Sequence, residues 1–479
     1  MFSRIIDYLD DRLNPIVVKE IRQYLNSRAI LACIVFVLLM ELVSLFIFIF
    51  FNDNNTVGRG MDFFTAILVI LSLGCFFGIG FSACNRVTLE RKAEALDLIY
   101  STVLSPHKII SGKLLSGMVM VSLLFSLCLP FMCVSYYLRG IDMPKIILLT
   151  YCLYILNIPV LLLMLLVGIS AINKLIRIAA GIILSVLGFG FLQAALSSFS
   201  RGSSLEFLSW WPLFWYTIIV FSAATGFFLA AAAMISPQSS NQTMPLRLYF
   251  AICWTVFLIA ALIASYVVKN KLPLTVWANV FYIIAVFNLM IAAAERDDQS
   301  RRVLSRLPAG KIRRRLFFMF SSGSAAGLLF SIAMISLTAL AVLIAQLKPS
   351  SSGDSIYIIL GISAYFISYA EITLVLKRAL QRRFSKIKGL GVFCSVVAAA
   401  MLTPIIISAM LFQSKAFDRD TGALFFIFSP TIFSYKSYYT VGYAVSAGMA
   451  LLMFIMVIPE LRRQLRQYFP KAEVTSDAV

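Results

Sequence analysis

The chain has 479 residues, of which 61% are hydrophobic and 13% are charged, and its mean hydropathy is +0.91. This composition excludes a soluble globular protein and predicts a polytopic membrane protein. The formal net charge of +19 does not predict a nucleic-acid partner, because the basic residues lie in short polar loops beside apolar runs, where they orient the spans and attract anionic lipid.

The first element is a polar region, residues 1–28, in which apolar side chains recur at helical spacing between Val17 and Leu25. This pattern predicts an amphipathic helix on the cytoplasmic surface of the membrane. The region carries acidic residues and lacks an apolar core, so we expect that it is not a cleaved signal peptide. The same stretch carries Asn14, Pro15, Lys19, Glu20 and Arg22.

Twelve apolar runs of about 20 residues follow, the length that crosses the hydrocarbon core of a bilayer as a helix. With both termini in the cytoplasm, most of the 41 Lys and Arg fall in inner segments, as the positive-inside rule requires. The predicted fold class is therefore all-α, a polytopic helical membrane protein with about twelve transmembrane helices. The runs are 29–51, 63–84, 114–138, 146–168, 178–197, 213–235, 249–268, 274–294, 316–347, 356–376, 390–412 and 438–459.

Three polar residues lie inside the predicted spans: Glu41 in the first, Asn157 in the fourth and Glu371 in the tenth. A polar group is costly in hydrocarbon, so we expect each to face the interior of the bundle. Glu41 fits either a functional role or a protonated structural glutamate. Glu371, about two turns before Lys377, is expected to reach the membrane surface or to pair locally. In the second span, the spacing of Gly74–Gly78 predicts close helix packing.

The long inner segment 85–113 carries the most informative pattern. Between 88 and 104, apolar residues recur at helical spacing and acidic residues occupy a neighbouring face, which predicts an amphipathic helix at the membrane surface. The acidic face fits either a docking surface for a soluble partner or a face that is simply solvated. Ser105-Pro106 should end this helix, because Pro106 fits the first turn of the next one.

The order of residues in this segment is distinctive, with Glu90-Arg91, then Leu96-Asp97-Leu98-Ile99, and finally Gly112-Lys113. It resembles the signature of ATP-binding-cassette type 2 permeases, the membrane subunits of type V exporters. The residues from Asn14 to Arg22 resemble the N-P-x-x-x-K-E-x-R connecting helix of that family. The resemblance implies that 88–104 is a coupling helix seated on an ATPase. The implied contact residues are Glu90, Arg91, Glu94, Leu96, Asp97 and Ile99.

By this resemblance the chain is the transmembrane permease subunit of an ATP-driven exporter in a cell membrane, the cytoplasmic membrane of a bacterium, and not itself an enzyme. No G-x-x-x-x-G-K-[ST] motif is present, because Gly112-Lys113 is followed by Leu114, so we expect a separate ATPase subunit to bind ATP and Mg. No cofactor or metal site is predicted in the chain, since His107 is the only histidine and the eight cysteines lie in apolar runs.

Three other functions stay open from the sequence. A major-facilitator-like secondary transporter also has twelve spans in two halves, although its characteristic loop motif after the second span is not visible. A non-transporting membrane subunit that anchors an ATPase would share the docking segment. A membrane-embedded transferase would depend on Asp418 and Asp420, a close acidic pair in a predicted outer loop.

The second half of the chain repeats the loop pattern of the first in a degenerate form, as duplicated transporters do. We predict a six-span unit at 29–235, a linker at 236–247, a second six-span unit at 248–461 and a cytoplasmic tail at 462–479. The inner segment 295–315 is strongly basic and lacks an ordered acidic face, so we interpret it as a topology anchor. Because only the first unit carries the docking signature, we expect two permease chains to associate.

Overall fold

The computed structural model of the chain is helical apart from short turns, and the residues that it describes contain no β-strand. The all-α part of the predicted fold class is therefore confirmed. The described residues are 15–50, 59–92, 105–138, 140–169, 210–237, 240–269, 272–295, 301–305, 307–308, 310–345, 354–381 and 439–468, with short pieces within 181–190, 392–400 and 429–430.

Eight described helices are long and apolar enough to cross a membrane, which makes the chain a multi-pass integral membrane protein. A further apolar helix, Pro273–Leu289, is shorter. The predicted spans 178–197 and 390–412 lie largely outside the described residues, so the total of twelve stays a prediction. The eight are Arg28–Phe50, Gly60–Glu90, Pro106–Tyr137, Met143–Ile169, Leu213–Ile235, Met244–Val267, Ser324–Ile344 and Val441–Tyr468.

The chain divides into two compact units, Met1–Ser236 and Pro237–Val479, and the division falls at the start of the predicted linker. In unit 1 the described helices are α1 Pro15–Leu25, α2 Arg28–Phe50, α3 Arg59–Leu73, α4 Phe81–Lys92, α5 Pro106–Tyr137, α6 Met143–Ile169 and α7 Trp210–Ile235. In unit 2 they are α8 Met244–Val268, α9 Leu272–Ala294, α10 Arg301–Leu304, α11 Lys311–Phe320, α12 Ser324–Ala345, α13 Asp354–Gln381 and α14 Tyr439–Tyr468.

In unit 1, a π-helical segment, Gly74–Gly80, joins α3 to α4, so the second span runs through all three pieces. The helix α1 lies against α5, and α6 packs against both α4 and α7. Ser105 is extended, with φ −72° and ψ 148°, and Pro106 is the first residue of α5. The predicted helix start at Pro106 is therefore confirmed.

The predicted close packing at the glycines of the second span is also confirmed. The side chain of Cys33 on α2 occupies the space where Gly78 lacks a β-carbon, and Val37, one turn later on α2, lies against Gly74 in the same way. The Cys33 thiol lies 3.6 Å from the carbonyl oxygen of Gly74. The two glycines thus let α2 approach the π-helical segment more closely than any larger residue would allow.

In unit 2, α9 packs against α8, α12 and α13, and α13 packs against α14. The start of the predicted span 316–347 is wrong: the short helix α11 ends at Phe320, and the spanning helix α12 begins only at Ser324. Two features explain the difference. The basic residues of α11 favour the membrane surface, and Gly323, with φ 140°, gives the backbone a conformation that larger residues rarely adopt.

Candidate functional site

Three elements of unit 1 that are distant in sequence meet at one junction: α1, the end of α4 and the start of α5. Lys113 Nζ on α5 lies 2.6 Å from Glu90 Oε2 on α4 and also forms an ion pair with Glu20 on α1. Lys19 Nζ on α1 lies 3.2 Å from Glu90 Oε1. We call Lys19, Glu20, Glu90 and Lys113 the unit 1 ion cluster.

The unit 1 ion cluster is balanced in charge and largely withdrawn from solvent. The side chains of Glu20 and Lys113 are 3% and 5% exposed, that of Glu90 is 16% exposed, and only that of Lys19 is open, at 54%. Two acids face two bases, so each buried charge has a partner in a site of low dielectric. Removing one partner would leave a buried charge uncompensated, and the cluster therefore favours one arrangement of α1, α4 and α5.

The end of α4 is fixed to its neighbours by three side chains at successive alternate positions. The guanidinium of Arg86 lies 3.9 Å from the ring centroid of Tyr24 on α1. Thr88 Oγ1 lies 3.4 Å from the carbonyl oxygen of Gly168 on α6, and Glu90 joins the ion cluster. The last two turns of α4 are thus connected to α1, α5 and α6 together.

Tyr24 belongs to the same junction and is buried. Burial raises the pKa of its phenol well above the ordinary value, the charge of Glu20 acts in the same direction, and Arg86 opposes them. The ring is therefore a neutral face on which the cation of Arg86 rests. Arg86 Nη2 also donates a hydrogen bond to the carbonyl oxygen of Gln23 at 2.6 Å, which fixes the guanidinium over α1.

The structure describes only the beginning of the predicted coupling helix 88–104. Residues 88–92 continue α4, where the sequence analysis expected a separate surface helix to begin. Glu90 was expected on an acidic docking face. Instead, both of its carboxylate oxygens contact lysines, and the neighbouring Leu89 is exposed. The cause is a contact between residues distant in sequence. The continuation of α4 directs Glu90 towards Lys113, whose buried charge requires a counter-ion.

The other predicted coupling and connecting residues fall into three groups. Lys19 and Glu20 join the ion cluster, whereas Arg22 is exposed on α1. For Pro15 and Arg91 only the helical backbone is described. Outside the described residues lie Asn14, Glu94, Leu96, Asp97 and Ile99.

The three intramembrane polar residues are buried, as expected: Glu41 and Asn157 in unit 1 and Glu371 in unit 2. The further expectation that Glu371 reaches the surface or pairs locally is wrong. Its carboxylate is fully buried, and neither oxygen has a hydrogen-bond partner among the described residues. Lys377 Nζ instead donates to the carbonyl oxygen of Glu295 at 2.8 Å, because α13 turns Lys377 towards the end of α9.

Unit 2 contains a buried ion pair that the sequence analysis missed. Arg247 near the start of α8 is fully buried, and its Nη2 lies 2.6 Å from Oε1 of Glu295, the residue that follows α9. Burial raises the pKa of the Glu295 carboxyl, while Arg247 and the N–H of Gly323 oppose that shift. The available signal was the acid that opens the segment 295–315, but the eight basic residues of that segment concealed it.

The Arg247–Glu295 pair also fixes the break that precedes α12. The first N–H groups of a helix have no partner within it, and in a buried position side chains must satisfy them. We call Arg247, Glu295 and residues 321–323 the unit 2 clamp. The side-chain bonds at this break are Arg247 to Ser321 O, Gly323 N to Glu295 Oε2, Ser322 N to Asn241 Oδ1 at 2.8 Å, Ala325 N to Gln464 Oε1 at 3.3 Å and Tyr468 OH to Ser321 Oγ at 2.8 Å.

No family model, characterised protein or solved structure matches this chain. The described residues contain no group of His, Cys, Asp or Glu side chains that could hold a metal ion. The unit 1 ion cluster connects three helices at one point through pairs of opposite charges.

Proposed function

We propose that this chain is the transmembrane permease subunit of an ATP-driven exporter of the ATP-binding-cassette type 2 class. In this proposal a separate ATPase subunit binds ATP and Mg, docks on the segment that follows α4 and drives substrate movement through the membrane. The chain has about twelve spans in two six-helix units, with both termini in the cytoplasm, and lies in the cytoplasmic membrane of a bacterium. A second permease copy completes the assembly.

The observation that carries the proposal is the meeting of three separate pieces of the resembled signature. Glu20 comes from the N-P-x-x-x-K-E-x-R pattern, Glu90 opens the coupling pattern, and Lys113 closes it as part of Gly112-Lys113. Glu20 and Glu90 both pair with Lys113. The shared buried contact accounts for the combination of charges in the signature and for their separation along the chain.

The geometry also gives a path for motion. The segment 93–104 begins directly after α4, and Ser105 joins it to α5. Because the last turns of α4 connect to α1, α5 and α6, a displacement of this segment acts on several helices at once. Buried ion pairs suit this task, since separating the partners would leave a buried charge uncompensated, which is costly. The ATPase can then move the spans by moving one short segment.

The proposal divides the predicted coupling residues into two roles. Glu90 is a positioning residue, because its carboxylate is occupied by Lys19 and Lys113. The contact with the ATPase falls to Arg91 and to four later residues of the segment. Those four are Glu94, Leu96, Asp97 and Ile99.

The decisive experiment is co-expression of the full chain with its candidate ATPase, followed by co-purification and by ATPase and transport assays in proteoliposomes. We expect co-purification with the wild type. Charge reversal at Glu94 and Asp97 should abolish it, whereas Glu90→Gln should keep the complex but uncouple ATP hydrolysis from transport. If the wild-type chain neither binds the ATPase nor transports in its presence, the proposal is wrong.

One observation favours a second candidate, a secondary transporter. Glu41, in the spanning helix α2, and Glu371, in the predicted span 356–376, are fully buried carboxyl groups, and intramembrane acids often serve as proton relays in such proteins. This candidate predicts transport in proteoliposomes that follows an imposed proton gradient without ATP. Loss of that transport in both Glu41→Gln and Glu371→Gln would favour it over the ATP-driven exporter.

A further inference from the structure

The helix α11 of unit 2 presents an open face that the proposed function does not use. On a helix of 3.6 residues per turn, Ile312 and Leu316 lie next to each other, and they are 75% and 52% exposed. Lys311 and Arg315 flank this apolar strip on one side, and Arg313 flanks it on the other. All three basic side chains are exposed. The open face is therefore an apolar strip bordered by positive charge.

The opposite face of α11 is fixed to the protein. Phe318 is buried, and its ring centroid lies 5.1 Å from that of Tyr468 on α14 in an edge-to-face arrangement. Arg314 Nε donates to the carbonyl oxygen of Pro308 at 2.7 Å. The unit 2 clamp holds the break between α11 and α12 at the other end. The open face thus has a defined direction before any ligand binds.

We infer that α11 is an interfacial helix that binds anionic phospholipid, with Lys311, Arg313 and Arg315 around the phosphate and Ile312 and Leu316 against the acyl chains. The position of the helix supports this occupant, because only the three-residue break at 321–323 separates it from the spanning helix α12. A helix that ends where a span begins lies at the depth of the lipid headgroups. Anionic lipid supplies negative charge and hydrocarbon together at that depth.

Charge complementarity also favours lipid over a soluble protein. In the part of the chain that the structure describes, Lys311, Arg313 and Arg315 form no ion pair. An acidic protein surface would match these charges, but it would leave the two large apolar side chains between them without an apolar partner. An anionic bilayer surface matches both the charge and the apolar strip.

The test uses the purified full chain, and it does not depend on the proposed ATPase. Bound lipid is counted by native mass spectrometry during titration with phosphatidylglycerol or phosphatidylcholine. The variant K311Q/R313Q/R315Q should weaken phosphatidylglycerol binding at least about fivefold and leave phosphatidylcholine binding unchanged. The matched control R462Q/R463Q/R466Q removes the same charge from exposed positions on α14. It should weaken phosphatidylglycerol binding less than K311Q/R313Q/R315Q does, because Leu461 and Leu465 beside these arginines are packed against the core and offer no open apolar strip.

Two further variants keep the inference falsifiable. K311R/R313K/R315K retains the charge and should retain binding, which separates a loss of charge from a loss of folding. L316W, placed in nanodiscs of brominated phosphatidylcholine and phosphatidylglycerol, should gain tryptophan fluorescence that the bromines quench. Equal phosphatidylglycerol affinity of K311Q/R313Q/R315Q and the wild type would overturn the inference. So would an unquenched L316W signal.

Discussion

The two units each place one acidic residue at the end of a helix, but they surround it differently. In unit 1, Glu90 lies on the last turn of α4, partly open, between Lys113 and the exposed Lys19. In unit 2, Glu295 follows α9 and is bonded to the fully buried Arg247 and to the backbone N–H of Gly323. Glu90 pairs with lysines on two other helices. Glu295 pairs with Arg247 and also accepts a hydrogen bond from the backbone N–H of Gly323, at the break before α12.

The two sites therefore differ in structural role: the unit 1 ion cluster connects three helices, and the unit 2 clamp fixes a break in the backbone. Glu90 of the unit 1 ion cluster lies three residues before the segment 93–104, so a displacement of that segment would act on the ion pairs of Glu90. The unit 2 clamp instead holds the break between α11 and α12, whose polar backbone atoms are bonded to the side chains of Arg247, Asn241 and Glu295. Under the proposed function, unit 1 passes motion from the ATPase to the spans. Unit 2 holds its own helix ends in place.

The largest expected effect comes from opening the unit 2 clamp. Arg247→Met leaves Glu295 as a buried unpaired charge and frees the carbonyl oxygen of Ser321, so it should lower the free energy of unfolding by about 3–5 kcal/mol. Thermal unfolding of the purified chain in detergent measures this. The control Arg463→Met removes an exposed cation 3.7 Å from Glu460; Glu460 keeps its hydrogen bond from Gln464 at 2.8 Å, so the loss should be under about 1 kcal/mol. Equal melting temperatures for the two variants would contradict a structural clamp.

The next effect distinguishes stability from coupling in unit 1. Lys113→Met leaves Glu20 as a buried unpaired charge and Glu90 with Lys19 alone, so it should cost about 3 kcal/mol. The triple variant E20Q/K113M/E90Q contains no unpaired buried charge, since only the half-exposed Lys19 lacks an acid, and it should recover most of that loss. It should still uncouple ATP hydrolysis from transport in proteoliposomes. Coupled transport by the triple variant would show that the ion cluster is only structural.

A smaller effect tests the break itself. Gly323→Ala places a β-carbon at φ 140°, a conformation that costs a non-glycine residue of order 1–3 kcal/mol. We expect a lower melting temperature and unchanged association with the ATPase, because the strain is local to unit 2. The neighbouring variant Ser322→Ala keeps the backbone N–H that bonds to Asn241 and serves as the control. A larger loss in Ser322→Ala than in Gly323→Ala would refute the backbone explanation.

Local patterns predicted much of the fold, and for physical reasons. Apolar run length predicted the spans that the structure describes, since a spanning helix must satisfy its own backbone. Proline chemistry predicted the start of α5 at Pro106, and glycine spacing predicted the close approach of α2. Each of these signals acts within a few residues along the chain. None requires knowledge of which helices become neighbours.

The ion pairs could not be predicted in the same way, because they join distant residues. Glu20 and Lys113 are 93 positions apart, and their contact depends on how α1 lies against α5. The break before α12 was missed although Ser321, Ser322 and Gly323 carry a turn signal. The apolar residues from Leu316 to Phe320 resembled the beginning of the span, and only the fold shows that their helix ends first.

The smallest expected effect sharpens the comparison from the open side of the unit 1 ion cluster. Lys19 is half exposed and lies 3.2 Å from Glu90, so Lys19→Ala should cost only about 0.2–1 kcal/mol, and less at high salt. Glu90 keeps Lys113 as its partner, and coupled transport should persist near the wild-type rate. Lys19→Glu, which places a second acid beside Glu90, should instead reduce coupling while the ATPase still co-purifies. If both variants behave like the wild type, the essential connection consists of Glu20, Glu90 and Lys113 alone, and Lys19 only covers it from water.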